Sequence, residues 1–362
     1  MAESKPLYVI IQEYILEQIR KGHWKPGDQI PPERELAEQF NVSRITAKSA
    51  IGELAQRGYV TRNRGRGTFV ARGAAGASAM LSPNSKKLIG LIIPWIEFRY
   101  FSQLFSGVEE ELNQRGYHLV VKRIAGRESE SQAIQSFLQL PVDAIIVVTS
   151  PGEHFNEDIV RLVLDKFPVI LVEKSMRDIR TNSVYCDAGQ GGALMANYLL
   201  AQGARRIGLV TYPPEFTYGV KARMVGFQTA LRAAGTPAPS EERTLIVPPE
   251  IMRHSYEPDI PPEMLSYLER HPDLEAIAAM DALLARLIGK ACCRLGRTRM
   301  KIVCFDTPTS DPGTLPPAAY IDQSPVEVGK TAARFAVEAL EGGGEPKTCV
   351  IEPRLVELLD GE

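Results

Sequence analysis

At 362 residues, with 44 % hydrophobic and 24 % charged residues, the chain has the make-up of a globular protein too long for one hydrophobic core. No run approaches the roughly 18 apolar residues of a membrane helix, and the N-terminal segment lacks a signal peptide's apolar stretch; a cytoplasmic protein without membrane contact is expected. The net charge of -2 conceals an asymmetry: residues 1–72 carry 12 Lys and Arg against 8 Asp and Glu, the remainder 30 against 36, so only a basic head suits a polyanion.

In chain order, Leu7, Ile11, Tyr14, Ile15 and Ile19 recur at helical spacing, and Gly22 stands where a helix would end. Lys25-Pro26-Gly27-Asp28 reads as a turn. Pro31 and Pro32 precede a short helix beginning Glu33-Arg34-Glu35, whose acidic residues suit a helix start. Asn41-Val42 is a tight connection, and Ser43 is a good cap for a helix over about Arg44–Arg57 that buries Ala47, Ile51 and Leu54. Two short helices so joined form a helix-turn-helix, whose second helix fits the major groove and presents Arg44, Thr46 and Lys48 in its first turns. Arginine pairs with guanine through two hydrogen bonds, while Thr and Lys suit phosphates or a thymine methyl. A hairpin follows, Tyr59–Thr61 and Thr68–Val70, with Arg62, Arg64 and Arg66 beside Gly65 and Gly67 at its tip. Glycines there permit close approach to a sugar-phosphate backbone that three arginines would hold.

The ordered set Pro6-Leu7-Tyr8, Lys25-Pro26-Gly27, Glu33-Arg34-Glu35-Leu36-Ala37, Val42-Ser43-Arg44-x-Thr46 and Gly65-Arg66-Gly67-Thr68-Phe69-Val70 closely resembles the GntR family of winged-helix regulators. The resemblance implies that Arg34 holds a phosphate, that Arg44 reads guanine with Ser43, Thr46 and Lys48 beside it, and that Arg64, Gly65 and Arg66 bring a wing to the minor groove. Pro32 departs from the family, which usually has a serine cap there, and a changed helix entry is expected. The head is thus assigned to residues 1–72, followed by a Gly/Ala/Ser-rich tether over 73–86.

From residue 87 to 362, short apolar strands alternate with helices of ten or more residues. The series runs from strand Leu88–Pro94 through strand Val169–Glu173, and a second series starts near Ser183 and includes strands Arg206–Thr211, Ala276–Met280 and Lys301–Phe305. Such alternation implies parallel sheets covered on both faces, and a break midway implies two lobes with a ligand cleft at the carboxyl ends of their strands. Ile89-Gly90-x-Ile92-x-Pro94, Val184-x-x-Asp187-x-x-x-Gly191-Gly192, Arg223-x-x-Gly226-Phe227 and Ile321-x-Gln323-Ser324-Pro325 resemble the periplasmic-binding-protein-like sensor of the LacI family. A GntR head on such a sensor is most similar to the arabinose-repressor subgroup. The fold class expected is therefore multidomain: an α+β winged helix-turn-helix head and a doubly wound α/β two-lobed sensor.

A sugar offers hydroxyl edges and apolar faces, so its site needs bidentate polar groups and aromatic platforms. Arg223, which follows a strand and opens a helix, matches the arginine that these sensors direct at ligand oxygens. Asp281, between a strand and a helix, serves as ligand contact or as helix cap; Met280 stands where the family commonly has Asn. Gln323, Trp95, Tyr100 and Glu173 complete the candidate set. The five cysteines lack metal spacing and read as small buried apolar residues, and no catalytic, metal or cofactor motif appears, so an enzyme is not expected. The reading is a ligand-responsive repressor that binds double-stranded operator DNA as a homodimer at a palindrome and is released by a small sugar. The alternative is a DNA-binding regulator whose sensor domain is only a dimerisation scaffold or takes a ligand other than a sugar.

Overall fold

The computed structural model describes residues 7–56, 58–63, 66–71, 88–140, 142–152, 154–254, 259–309, 311–342 and 344–358, in two compact units that divide after residue 87. The tether expected over 73–86 lies outside the described residues, as do Arg64 and Gly65.

In the first unit, α1 (Leu7–Arg20), α2 (Glu33–Gln39) and α3 (Arg44–Gln56) precede an antiparallel pair, β1 (Val60–Asn63) and β2 (Gly67–Val70). The apolar stripe of α1 buries Ile11, Ile15 and Ile19 against Leu36, Ala47, Ile51 and Leu54, and Val60 and Val70 close the cluster from the hairpin. Pro32 caps α2 with extended backbone and no side-chain hydrogen bond, so the helix relies on Glu33 and Glu35 in its first turn. That is the altered entry the sequence suggests. Tyr14 packs edge-on against both Trp24 and Phe40, tying α1 to the turns that flank α2.

The second unit holds two six-stranded sheets. In the first lobe, β3 (Leu88–Pro94), β4 (His118–Ile124), β5 (Val142–Val148), β6 (Val169–Val172), β7 (Asn182–Cys186) and β13 (Thr348–Ile351) pair in the order β13-β7-β6-β5-β3-β4, all parallel. In the second, β8 (Ile207–Thr211), β9 (Thr244–Ile246), β10 (Ala276–Ala279), β11 (Lys301–Phe305), β12 (Ala319–Asp322) and β14 (Arg354–Glu357) pair in the order β14-β12-β11-β10-β8-β9, with β14 alone antiparallel. Strands such as Val142–Val148 are apolar on both faces because helices cover both, as βαβ crossovers require. The helices are α4 (Arg99–Gln114), α5 (Arg127–Leu138), α6 (Glu157–Leu164), α7 (Ala188–Ala201), α8 (Tyr218–Ala233), α9 (Pro262–Arg270), α10 (Ala282–Arg294) and α11 (Pro325–Leu340).

Two details correct the sequence reading. The lobe boundary falls after Cys186, because β7 pairs with β6 and belongs to the first sheet. The chain then returns: α11 packs on α4 in the first lobe, β13 joins the first sheet, and β14 goes back to the second. The lobes are thus joined at three places, Asp187, the segment Gln323-Ser324, and Glu352-Pro353. Of the cysteines expected to be buried, Cys186, Cys292 and Cys304 are, whereas Cys293 and Cys349 are half-exposed; all five are free.

The α7–α8 crossing depends on missing side chains. A Cβ on Gly226 would strike the Gly189 carbonyl oxygen, and one on Gly192 would strike the carbonyl of Arg223. Backbone-to-backbone contact of this kind cannot yield by a rotamer change. Gly226→Ala is therefore expected to lower stability by about 1–3 kcal/mol. The check is a lower urea midpoint at unchanged slope.

Candidate functional site

Two surfaces carry chemistry. On the head, Ser43 accepts a hydrogen bond from the Thr46 amide at 3.1 Å and its hydroxyl meets that of Thr46 at 2.8 Å, so both hydroxyls are engaged in starting α3. Arg44, one residue further on, is left 74 % exposed at the helix's first turn, and Lys48 is exposed one turn later. Arg34 projects from α2 and donates to Glu38 at 2.9 Å. At the wing, the Arg66 amide donates to the Asn63 carbonyl at 2.9 Å, and the Arg66 carbonyl accepts from Gln29 Nε2 at 3.2 Å. Arg34, Ser43, Arg44, Thr46, Lys48 and Arg66 thus lie on the described head, on α2, α3 and the wing.

The second surface is a cavity of about 160 Å³ between the two lobes, many times the roughly 10–15 Å³ that one water needs. The first lobe contributes Trp95, Phe98, Tyr100 and Phe101 after β3, Ser150 to Gly152 after β5, and Glu173 and Lys174 after β6. The second contributes Tyr212 after β8, Phe216 to Arg223 around the start of α8, Asp281 after β10, and Asp306 and Thr307 after β11. These are the carboxyl ends of parallel strands, where open α/β sheets place their ligands. Trp95, Glu173 and Asp306 there have positive φ (39°, 76° and 65°), a conformation uncommon outside glycine that clusters at functional sites.

Arg223 sits at the centre, only 9 % exposed. Its Nη1 donates to the Met280 carbonyl at 2.7 Å and its Nη2 to Gln323 Oε1 at 3.3 Å, while the guanidinium stacks 4.1 Å above the Phe305 ring. Its Nε has no hydrogen-bond partner, and the Tyr212 hydroxyl, 2 % exposed, faces Asp281. A buried donor left without an acceptor is costly, and one beside a cavity points to a ligand with an acceptor oxygen. Gln323 Nε2 in turn donates to Asp306 Oδ1 at 2.6 Å. Met280 explains itself here: its side chain joins the core below, and its carbonyl takes the arginine.

Three carboxylates face this arginine. Burial raises all of them: Glu173, despite the Tyr100 hydroxyl that donates to it and the nearby Arg223; Asp306, despite Arg223 and Gln323; and Asp281, to about 6, despite its bond from the Leu284 amide at 2.7 Å. Asp281 is thus both cleft residue and cap of α10. The sign of its linkage follows. Between the ordinary carboxylate range near pH 4 and about 6, the folded chain holds a proton here that the unfolded chain has lost, so this contribution to stability is full below that window and gone above it. Asparagine keeps the cap without the charge. Asp281→Asn is expected to gain stability relative to the parent chain as pH rises from about 4 to 6, read by thermal unfolding across that interval. A constant difference would exclude it.

Of the residues proposed from sequence, Arg223, Asp281, Trp95, Tyr100 and Glu173 line the cavity. Gln323 does not: it is 2 % exposed and lies behind, touching the site through Arg223 and Asp306. Tyr212, Phe216 and Lys174 were missed from sequence, although Tyr212 and Lys174 stand just past a strand's carboxyl end, the position that flags a ligand contact, and Phe216 directly precedes the Thr217 cap of α8. Several contacts cross the cleft directly, and Trp95 and Phe98 pack on the second lobe's core. The Gly152 amide donates to the Phe216 carbonyl at 2.9 Å, and the Trp95 and Phe216 rings lie 5.9 Å apart. Among the described residues no cluster of three or more His, Cys, Asp or Glu could hold a metal ion, and no helix is long and apolar enough to cross a membrane.

Comparison with known proteins matches residues 7–70 to the bacterial regulatory proteins of the gntR family. Residues 86–304 match the periplasmic binding proteins and sugar binding domain of LacI family. The arabinose metabolism transcriptional repressor of Geobacillus stearothermophilus is 29 % identical over 214 residues, covering 57 % of this chain; the chain spans only 56 % of that relative's length. Among solved structures, the transcriptional regulator CelR in its cellobiose complex superposes with a TM-score of 0.65 at 18 % identity, over 90 % of this chain and 98 % of that one. A regulatory protein of LacI family from Chloroflexus aggregans gives 0.63 at 20 % identity, over 75 % and 97 %. These likenesses show the fold of the two-lobed unit.

Proposed function

The chain belongs to the family of periplasmic binding proteins and sugar binding domains of LacI type, and from that premise we propose that it is a transcriptional repressor whose gntR-type head binds operator DNA and whose cleft binds a small sugar. Two subunits would present their heads to the halves of a pseudo-palindrome, since a two-fold protein reads a two-fold site. The observation that carries the effector half is the buried, unpartnered Arg223 Nε in a cavity walled by Trp95, Phe98 and Phe216. Acceptor oxygens on one edge and C–H faces on the other satisfy both features at once.

Such a sugar acts only through its different affinities for the DNA-bound and free arrangements, and a coupling of about 1–3 kcal/mol changes operator affinity about 5–150-fold. The experiment is fluorescence anisotropy on a labelled duplex obtained by in vitro selection with the full chain, titrated with pentoses, hexoses and their uronic acids. Release by a sugar supports the reading. Selected DNA that no sugar releases refutes the effector half and leaves the head's function standing.

A further inference from the structure

The wing and the recognition helix of the head meet at one carboxylate. Glu33, the first residue of α2, accepts from Arg62 Nη2 at 3.2 Å through Oε1, and its Oε2 lies 4.0 Å from Arg44 Nε. The same Arg62 Nη2 donates to the Lys48 carbonyl in α3 at 2.9 Å. One residue of β1, one of α2 and two of α3 are therefore linked through polar groups, and Glu33 is withdrawn to 27 % exposure while Arg44 stays 74 % exposed. The sequence places Arg62 among three tip arginines that would grip the DNA backbone. Its guanidinium instead spends Nη2 on two partners inside the head.

A half-exposed ion pair adds little to fold stability. Its geometry, however, decides where the outward guanidinium of Arg44 stands relative to the wing. A base contact needs that placement to within a fraction of an ångström, whereas attraction to phosphates does not. We infer that Glu33 and Arg62 form a positioning clamp that sets Arg44 and the wing in register with each other, and so govern discrimination between DNA sequences.

Charge alone predicts the opposite sign. Removing a carboxylate from a DNA-facing surface should tighten binding to every duplex, because one source of repulsion from phosphates is gone. A clamp predicts that the selected sequence is bound less well. The experiment measures Kd of the full-length chain for the in vitro selected duplex and for a scrambled one, over a salt series, in the parent, Glu33→Gln, Arg62→Gln and the double variant. The expected result is that the ratio of the two affinities falls about tenfold in each single variant, and that the double variant is no worse than either, since both remove the same link. For Glu33→Gln the scrambled duplex is bound as tightly as before or more so, with an unchanged salt slope. Proportionate tightening on both duplexes by Glu33→Gln overturns the clamp. Equal weakening on both by Arg62→Gln, with the slope of log affinity on log salt reduced by about 0.9, also overturns it, because that is how a phosphate contact behaves. The second criterion stands even if Glu33→Gln fails to fold.

Discussion

Arg44→Ala is expected to abolish selective recognition of the operator while leaving a weaker, sequence-blind attraction to DNA. Arg44 is the outward guanidinium at the first turn of α3, with its backbone fixed by the Ser43 cap and its Nε 4.0 Å from Glu33 Oε2. A bidentate contact with guanine contributes about 1–3 kcal/mol of discrimination per head, and a dimer doubles that. Operator affinity should fall by at least an order of magnitude and the variant should tolerate a changed base at one position of each half-site. The measurement is Kd on the selected duplex and on duplexes substituted base by base. If Arg44→Ala loses as much on every sequence, the residue holds phosphate and the specificity lies elsewhere on α3.

The second large effect belongs to Arg223. Methionine in its place keeps an unbranched apolar stem but removes the guanidinium that stacks on Phe305, donates at the cavity and offsets Glu173, Asp281 and Asp306. A charge-assisted hydrogen bond contributes about 1.5–3 kcal/mol, so effector affinity should drop about ten- to a hundredfold. A sugar present at 100 times the parent's Kd stabilises the parent by about 2.7 kcal/mol. In Arg223→Met the same concentration should give only about 0.4–1.4 kcal/mol. Thermal unfolding with and without sugar reads both numbers. An undiminished shift would move the binding site out of this cleft.

Much of this was legible in the sequence because the physics is local. The stripe Ile11, Ile15, Ile19 predicts α1, the run Leu88–Pro94 predicts β3, and the Ser43 hydroxyl predicts where α3 begins. Asp281 likewise announces its cap by standing between a strand and a helix. What sequence reading missed depends on long-range pairing. No local pattern says that β7 pairs back with β6, or that β13 and β14, two residues apart, enter different sheets. Gln323 was placed against the ligand because its position in the chain is right, yet its amide lies one layer behind, bridging Arg223 to Asp306. Met280 has a role that no side-chain pattern announces: its backbone carbonyl accepts from Arg223, a contact any residue would supply. The Glu33–Arg62 link escaped for the same reason: 29 positions separate its partners, and only the folded hairpin brings them together.

The three connections between the lobes limit how the sensor is able to move. One tether would let each half swivel and slide freely, and two would still leave a twist about the line that joins them. Three short crossings, at Asp187, Gln323-Ser324 and Glu352-Pro353, leave a bend as the one motion of low cost. A ligand held between the lobes would have a single mechanical coordinate to act on, with none of its binding energy dissipated in sideways drift. The last crossing is made by only the 11 residues from Thr348 to Leu358, so cutting the chain just before β13 would loosen that coordinate while leaving the cavity wall intact.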